Sequence, residues 1–192
     1  MGIQAVSETV LKRDTLCGLR VAVQGLGATG YALCQHLHIA GAKVTVADVR
    51  DDAVGRVVQH YGATAVEPSQ IHSADVDIFA PCALGGGLND KTISQIQVTA
   101  ICCLANNQLA QDRHGAALRD AGIAYVSDYV VNAGGMMGAL QVTYREPSRN
   151  EAQKKTESLK STIQDILKTA TRGNRPTSDV ANDMALRRID GA

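Results

Sequence analysis

The chain has 192 residues, which is enough for one domain with a sizeable hydrophobic core. Hydrophobic residues make up 45% and charged residues 20%, so the composition excludes disordered and fibrous proteins. Nineteen basic and nineteen acidic residues give a formal net charge of zero, which argues against nucleic acid or an anionic membrane as a main partner.

Short aliphatic runs alternate with segments of helical periodicity along the first two thirds of the chain. The predicted strands are residues 20–24, 43–47, 77–80, 98–104 and 123–126. The clearest predicted helices between them are residues 28–40 and 51–61. Strands that alternate with helices form right-handed βαβ units around a parallel sheet. The expected fold is therefore α/β, a Rossmann-like, doubly wound and mainly parallel sheet.

The last part of the chain has no strand pattern and is predicted to be helical. Ser148 and Glu151 have the spacing of a capping box after Pro147, and a long helix of about six turns should follow. Its apolar stripe comprises Ala152, Leu159, Ile163, Ile166, Leu167 and Ala170. A shorter helix should run from about residue 177 to 189. We predict a domain over residues 1–146 and a helical tail over 147–192, which packs on that domain or on a partner.

A glycine-rich motif connects the first predicted strand to the first predicted helix of this pattern. Gly25 permits a tight turn, Gly27 lets a pyrophosphate approach the backbone, and Gly30 lets the helix pack closely on the strand. Asp48 follows the next strand, where a carboxylate accepts hydrogen bonds from ribose hydroxyls and repels a 2′-phosphate. This pattern favours NAD over NADP, although the nearby Arg50 leaves NADP as an alternative, because an arginine can bind a 2′-phosphate. The predicted contacts are Gly25, Leu26, Gly27, Ala28, Thr29, Gly30, Asp48 and Val49. The alternative is a simple glycine turn followed by a solvated Asp.

The sequence shows no targeting segment and no metal-binding pattern. The first twenty residues contain no apolar run of roughly 7 to 15 residues, so no secretory signal is legible. The five cysteines form no CxxC pair and are expected to be reduced thiols. His36 and His38 would point about 200° apart on a helix, so they should not share a metal. These features predict a cytoplasmic protein that neither spans a membrane nor binds a metal.

Three further segments, residues 77–86, 105–109 and 128–135, resemble the cofactor domain of the glutamate/leucine/phenylalanine/valine dehydrogenases. The resemblance runs from about Gly18 to Gly135, and more loosely to Ile189. It implies NAD as the cofactor and assigns site residues at the ends of successive strands. These implied contacts are Cys82, Ala83 and Leu84 along the cleft, Ala105, Asn106 and Asn107 at the nicotinamide end, and Asn132 against substrate or nicotinamide. The alternative is that these residues only shape turns.

The chain also departs from this family pattern. Cys103 and Leu104 stand where relatives carry small residues, and the sequence leaves open whether their bulk narrows the nicotinamide pocket. Residues 136–139 are Met-Met-Gly-Ala, whereas relatives carry branched aliphatic residues there that help to form the substrate side-chain pocket. The resemblance implies proteins about twice this length, whose first half supplies the substrate domain and a catalytic lysine. No catalytic residue is therefore assigned in this chain.

Two functions remain open at this point. The first is the NAD(H)-binding half of an L-amino-acid dehydrogenase, which converts a branched-chain or aromatic amino acid to its 2-oxo acid. In that case the amino acid binds only if a substrate domain is supplied. The second is a non-catalytic NAD-binding module or a diverged remnant of the family. In both cases an uncovered apolar face of the tail should lead to a homo-oligomer or to a complex with a substrate-domain chain.

Overall fold

The computed structural model describes residues 1–132 and 149–191, and within the latter range the side chains from residue 157 onward. The strands are β1 (Arg20–Gln24), β2 (Lys43–Ala47), β3 (Thr64–Ala65), β4 (Ile78–Pro81), β5 (Ala100–Cys102) and β6 (Ala124–Val126). The helices are α1 (Gly2–Thr9), α2 (Ala28–Ile39), α3 (Asp51–Tyr61), α4 (Asp90–Ile93), α5 (Arg113–Asp120), α6 (Asp128–Val131), α7 (Arg149–Gly173) and α8 (Thr177–Asp190). A 3₁₀ turn covers Ile71–Ser73.

The six strands form one parallel sheet in the order β3-β2-β1-β4-β5-β6. In the centre, Val21 of β1 pairs with Val44 of β2 on one side and with Ile78 of β4 on the other. Strand order reverses between β1 and β4, and ligands of doubly wound sheets bind at the carboxyl ends of the strands at such a point. The predicted α/β fold with a helical tail is confirmed.

The strands alternate their side chains between two buried clusters, one on each face of the sheet. Val21 and Val23 face the cluster that α1, α2, α3 and α7 cover, whereas Ala22 faces the cluster beside α5. Most of the buried side chains are aliphatic, and Phe79 is the largest fully buried one. Helices therefore cover both faces of the sheet, as its uninterrupted apolar strands require.

The described part of the tail packs against the sheet domain of the same chain. On α7 the buried side chains are Ile163, Ile166, Leu167 and Ala170, and they share a cluster with residues of α1. On α8, Val180 is buried, and Leu186 and Ile189 are exposed. The described part of α7 therefore leaves no long apolar stripe uncovered. Because residues 133–148 lie outside the described ranges, so do the predicted boundary at 147 and the capping box.

In the parts of the chain that the structure describes, no helix combines the length and the apolarity that crossing a bilayer requires.

Candidate nucleotide-binding site

Two glycines of the motif are required by packing, whereas the third borders empty space. Gly25 has a φ of +90°, and a Cβ there would lie 2.8 Å from the backbone N of Ala83. A Cβ on Gly30 would lie 1.9 Å from the carbonyl oxygen of Gly25. By contrast, a Cβ on Gly27 would meet no atom within 4 Å. The backbone of Gly27 is therefore open to a ligand.

This open position lies directly at the start of α2, because Gly27 is the N-cap residue. Ala28, Thr29 and Gly30 form the first turn of that helix, where backbone N–H groups have no acceptor within the helix. Such N–H groups, together with the positive end of the helix dipole, suit a phosphate group. The geometry of the turn thus fits the pyrophosphate of a dinucleotide.

Asp48 lies beside this turn, directly after β2. One carboxylate oxygen accepts a hydrogen bond from the backbone N–H of Leu26, and the other accepts one from the N–H of Arg50 at 2.9 Å. Burial alone would raise the pKa of Asp48, but these bonds and the Arg50 guanidinium at 3.5 Å outweigh it, so the pKa is lowered. Oδ2, whose one partner is the Leu26 N–H, keeps a further acceptor site, and the ionised group can therefore accept a bond from a ribose hydroxyl. The neighbouring Val49 is exposed.

The segment after β4 continues the same edge of the sheet. The Cys82 N–H donates to the carbonyl of Gln24 at 2.7 Å, which fixes the segment beside β1. Ala83 packs against Gly25, and the side chain of Leu84 is 92% exposed. Burial raises the pKa of the Cys82 thiol to about 12, so this group stays protonated at neutral pH. Cys82 is therefore a packing group and a poor base.

Two of the three predicted asparagines meet after β5 and α6, and the third bonds to Asp128 through its backbone. Asn132, the C-cap residue of α6, donates its side-chain N–H to Oδ1 of Asn106 at 2.7 Å. Asn107 has a φ of +55°, and its backbone N–H donates to Oδ2 of Asp128 at 2.6 Å. Ala105 lies just before them and donates to the carbonyl of Pro81. The side-chain amides of Asn106 and Asn132 thus form one polar group at the edge of the sheet.

Sequence reasoning missed two residues that shape this edge, Asp128 and Gln108. Both are buried in the structure, although each is polar and lies outside a strand. In the sequence, Asp128 is the first residue of the resemblance segment 128–135, and Gln108 follows the asparagine pair without any pattern of its own. A possible signal for Asp128 is its place as the first residue of a helix that directly follows a strand.

The position of Cys103 bears on the width of the nicotinamide pocket. Its side chain is fully buried in the cluster that contains Tyr125, so Cys103 does not line the open cleft. Leu104 points to the opposite cluster and is partly buried. The alternation along the strand explains the difference, because consecutive side chains face opposite sides of the sheet.

A separate cavity of about 430 Å³ shares no lining residue with the predicted site. The C-terminal ends of α1, α5 and α7 line it. Lys12 donates to the carbonyl of Thr9 at 2.7 Å, and Arg119 donates to that of Asn174 at 3.5 Å. These cations therefore satisfy carbonyl groups at or just beyond helix C-termini. Among the described residues, no group of three or more His, Cys, Asp or Glu side chains could hold a metal ion.

Comparisons with known proteins agree with this geometry. The family model for glutamate/leucine/phenylalanine/valine dehydrogenase matches residues 49–192. The leucine dehydrogenase of Geobacillus stearothermophilus is 43% identical over 98% of this chain and 51% of its own length. The crystal structure of L-tryptophan dehydrogenase from Nostoc punctiforme has a TM-score of 0.92 at 40% identity, and the match covers 99% of this chain and 57% of that one.

A hetero-hexameric glutamate dehydrogenase from Thermus thermophilus matches with a TM-score of 0.75 at 25% identity, over 99% of this chain and 51% of that one. The chain spans about half the length of the curated relatives it matches.

Proposed function

Because the chain belongs to the glutamate/leucine/phenylalanine/valine dehydrogenase family, we propose that it is the NAD(H)-binding half of an L-amino-acid dehydrogenase. The substrate would be a branched-chain or aromatic amino acid, since relatives include a leucine and an L-tryptophan dehydrogenase. The observation that carries the proposal is the open space at Gly27, beside two glycines that packing does require.

Each group of residues at the carboxyl ends of the strands has a role in this proposal. The first turn of α2 binds the pyrophosphate, and the ionised Asp48 accepts hydrogen bonds from the ribose hydroxyls. Asn106 and Asn132 supply amide donors and acceptors that orient the nicotinamide ring without adding charge. When bound, NAD supplies the acceptor for the hydride that leaves the amino-acid Cα.

The proposal assigns amino-acid binding and proton transfer to a substrate-binding half, as another chain or as another part of a longer protein. We also propose that the chain works in an oligomer, as the hetero-hexameric relative does. The proposal gives nucleic acid and membranes no role. All five cysteines are free thiols, which agrees with a cytoplasmic location.

Titration with NADH and NADPH tests the cofactor assignment. The chain contains no Trp, so NADH fluorescence can be followed without energy transfer from that residue. We expect tighter binding of NADH than of NADPH. Asp48→Asn removes the charge, and because a hydrogen bond to a charged group contributes about 1.5–3 kcal/mol, NADH affinity should fall roughly ten- to hundredfold.

The matched control is Asp165→Asn, which removes a carboxylate from an exposed position of α7. This variant should bind NADH as the unmodified chain does. Circular dichroism should show that both variants are folded. Equal affinity of the unmodified chain for NADH and NADPH would overturn the assignment of Asp48.

A further inference from the structure

Gln108 occupies an unusual position between the two segments that form the nicotinamide end of the cleft. Its side chain is only 1% exposed although it lies in a loop. Its Nε2 is 3.4 Å from the carbonyl oxygens of Ala83 and Leu84, and 3.3 Å from that of Asn106. One amide group therefore bonds to the segment after β4 and to the segment after β5.

We propose that Gln108 is a positioning residue that sets the distance between these two segments and thereby the width of the nicotinamide end. This inference rests on the proposed function, because it assigns that end of the cleft to the nicotinamide. Gln108 itself does not touch the reacting atoms in this assignment. It acts through Ala83, Leu84 and Asn106, whose carbonyl groups it holds.

The segments after β4 and after β5 pack so closely that the side-chain amide of Gln108 can reach both. A Cβ on Gly85 would lie 2.8 Å from the carbonyl oxygen of Asn107, so the two backbones approach closely there. The buried NH₂ group has two donor hydrogens and three nearby acceptors, and hence all of its donor capacity is directed between the segments. A buried amide that loses such partners is costly, and buried carbonyls that lose their donor are costly as well.

Backbone pairing holds the outer parts of the same segments independently of this side chain. The Leu88 N–H donates to the Gln108 carbonyl at 2.9 Å, and the Ala110 N–H donates to the Leu88 carbonyl at 2.9 Å. The Gly86 N–H donates to the Asn107 carbonyl at 2.7 Å. Loss of the Gln108 amide should therefore leave the fold in place and affect mainly residues 83–84 and 106.

Asn106 connects this arrangement to the polar group at the edge of the sheet. Its carbonyl accepts from Gln108, and its side-chain Oδ1 accepts from Asn132. A shift of Asn106 would therefore move both asparagine amides. The adenine end depends on other contacts, those of Asp48 with Leu26 and Arg50. The two ends of the cleft should thus respond differently to a change at Gln108.

The test compares NADH with ADP-ribose, which lacks the nicotinamide ring. Gln108→Met keeps the length of the side chain and removes its donors and acceptor. We expect NADH affinity to fall about three- to tenfold, the effect of losing one typical buried hydrogen bond, and ADP-ribose affinity to change less than about twofold. Gln97→Met, at an exposed position, is the matched control and should change neither affinity.

The outcomes separate this inference from the proposed function. If the unmodified chain binds neither NADH nor ADP-ribose, the proposed function fails. If it binds both and Gln108→Met changes neither affinity, or weakens both equally, the positioning role is overturned. Should Gln108→Met fail to fold, Gln108→Asn provides the comparison, because it keeps a neutral amide and shortens the reach of that amide toward the three carbonyl groups by one methylene. A selective loss of NADH affinity supports the proposal.

Discussion

The two glycines at the start of α2 should respond in opposite ways to the addition of one methyl group. Gly27 has φ −66° and ψ −165°, which alanine also adopts, and no atom lies within 4 Å of the added Cβ. Gly27→Ala should therefore cost only an N-cap preference of about 1 kcal/mol or less. Its methyl group would occupy the space assigned to the pyrophosphate. Loss of one charge-assisted hydrogen bond, about 1.5–3 kcal/mol, would weaken NADH binding at least about tenfold.

Gly30→Ala is the matched variant, three residues further on. Its Cβ would lie 1.9 Å from the Gly25 carbonyl oxygen, which is far closer than two non-bonded atoms can approach. The helix has to move away from β1, and such overpacking typically costs about 1–3 kcal/mol or more. This variant should lose both stability and NADH affinity.

Urea denaturation and NADH titration of both variants measure the two quantities separately. The expected result is a stable Gly27→Ala variant that binds poorly and a destabilised Gly30→Ala variant. If Gly27→Ala binds NADH as tightly as the unmodified chain, the assignment of the open space to a ligand is refuted. If Gly30→Ala is as stable as the unmodified chain, the packing described for the turn is wrong.

Two predictions concern stability. Burial would raise the pKa of the Asp77 carboxyl, but hydrogen bonds from Arg20 outweigh burial, so the pKa is lowered. The stabilisation of the folded chain by this pair is therefore complete above the ordinary carboxyl pKa. It is lost as the pH falls through the lowered value. Asp77→Asn should flatten the decline of the urea midpoint between about pH 5 and pH 2, and an unchanged pH profile would count against it. Glu8 accepts from Lys160 at 2.6 Å and ties α1 to α7. Glu8→Gln should lower the melting temperature, whereas Glu67→Gln, at an exposed position, should not.

The elements that could be predicted from sequence are those with a strong local pattern. The bounds of β1, β2 and α3 agree with the prediction, because apolar runs with flanking turn residues mark both ends. β3 was missed, since its two residues, Thr64 and Ala65, are exposed and carry no apolar pattern. β5 is shorter at both ends than the predicted 98–104, because the buried side chains of Val98 and Cys103 extend the apolar run beyond the strand.

In the site too, residues that belong to a local sequence motif could be predicted, and residues that act through long-range contacts could not. The roles of Gly25 and Gly30 follow from a local motif, and the structure shows the close contacts that the motif anticipates. The bonds of Gln108 and Asp128 link segments that lie more than twenty residues apart in sequence. Sequence periodicity contains no information on such contacts. Burial of a polar loop residue becomes visible only once the segments meet.

The last prediction concerns the chemistry of the isolated chain. Within residues 82–88, 104–109 and 128–132, three side chains could exchange a proton, and each is committed elsewhere. Asp128 is buried and accepts from Asn107, and burial keeps the Cys82 thiol protonated. Burial also raises the pKa of Tyr129, whose hydroxyl donates to Asn182 at 2.7 Å. These three segments therefore offer groups that orient a ligand and no side chain that is free to move a proton.

General acid–base catalysis typically contributes about 10²–10⁴ in rate, so a cleft without a free acid or base should give far slower turnover. We expect the 192-residue chain to bind NAD but to form no NADH from leucine, valine, phenylalanine or tryptophan at alkaline pH. Adding a separately expressed substrate half from a leucine dehydrogenase should restore turnover if the two halves assemble. Gly27→Ala serves as the control, since any activity of the chain itself must depend on its nucleotide site. Turnover by the chain alone that survives repurification and disappears in Gly27→Ala would show that the chain itself supplies the acid or base, and would refute this prediction.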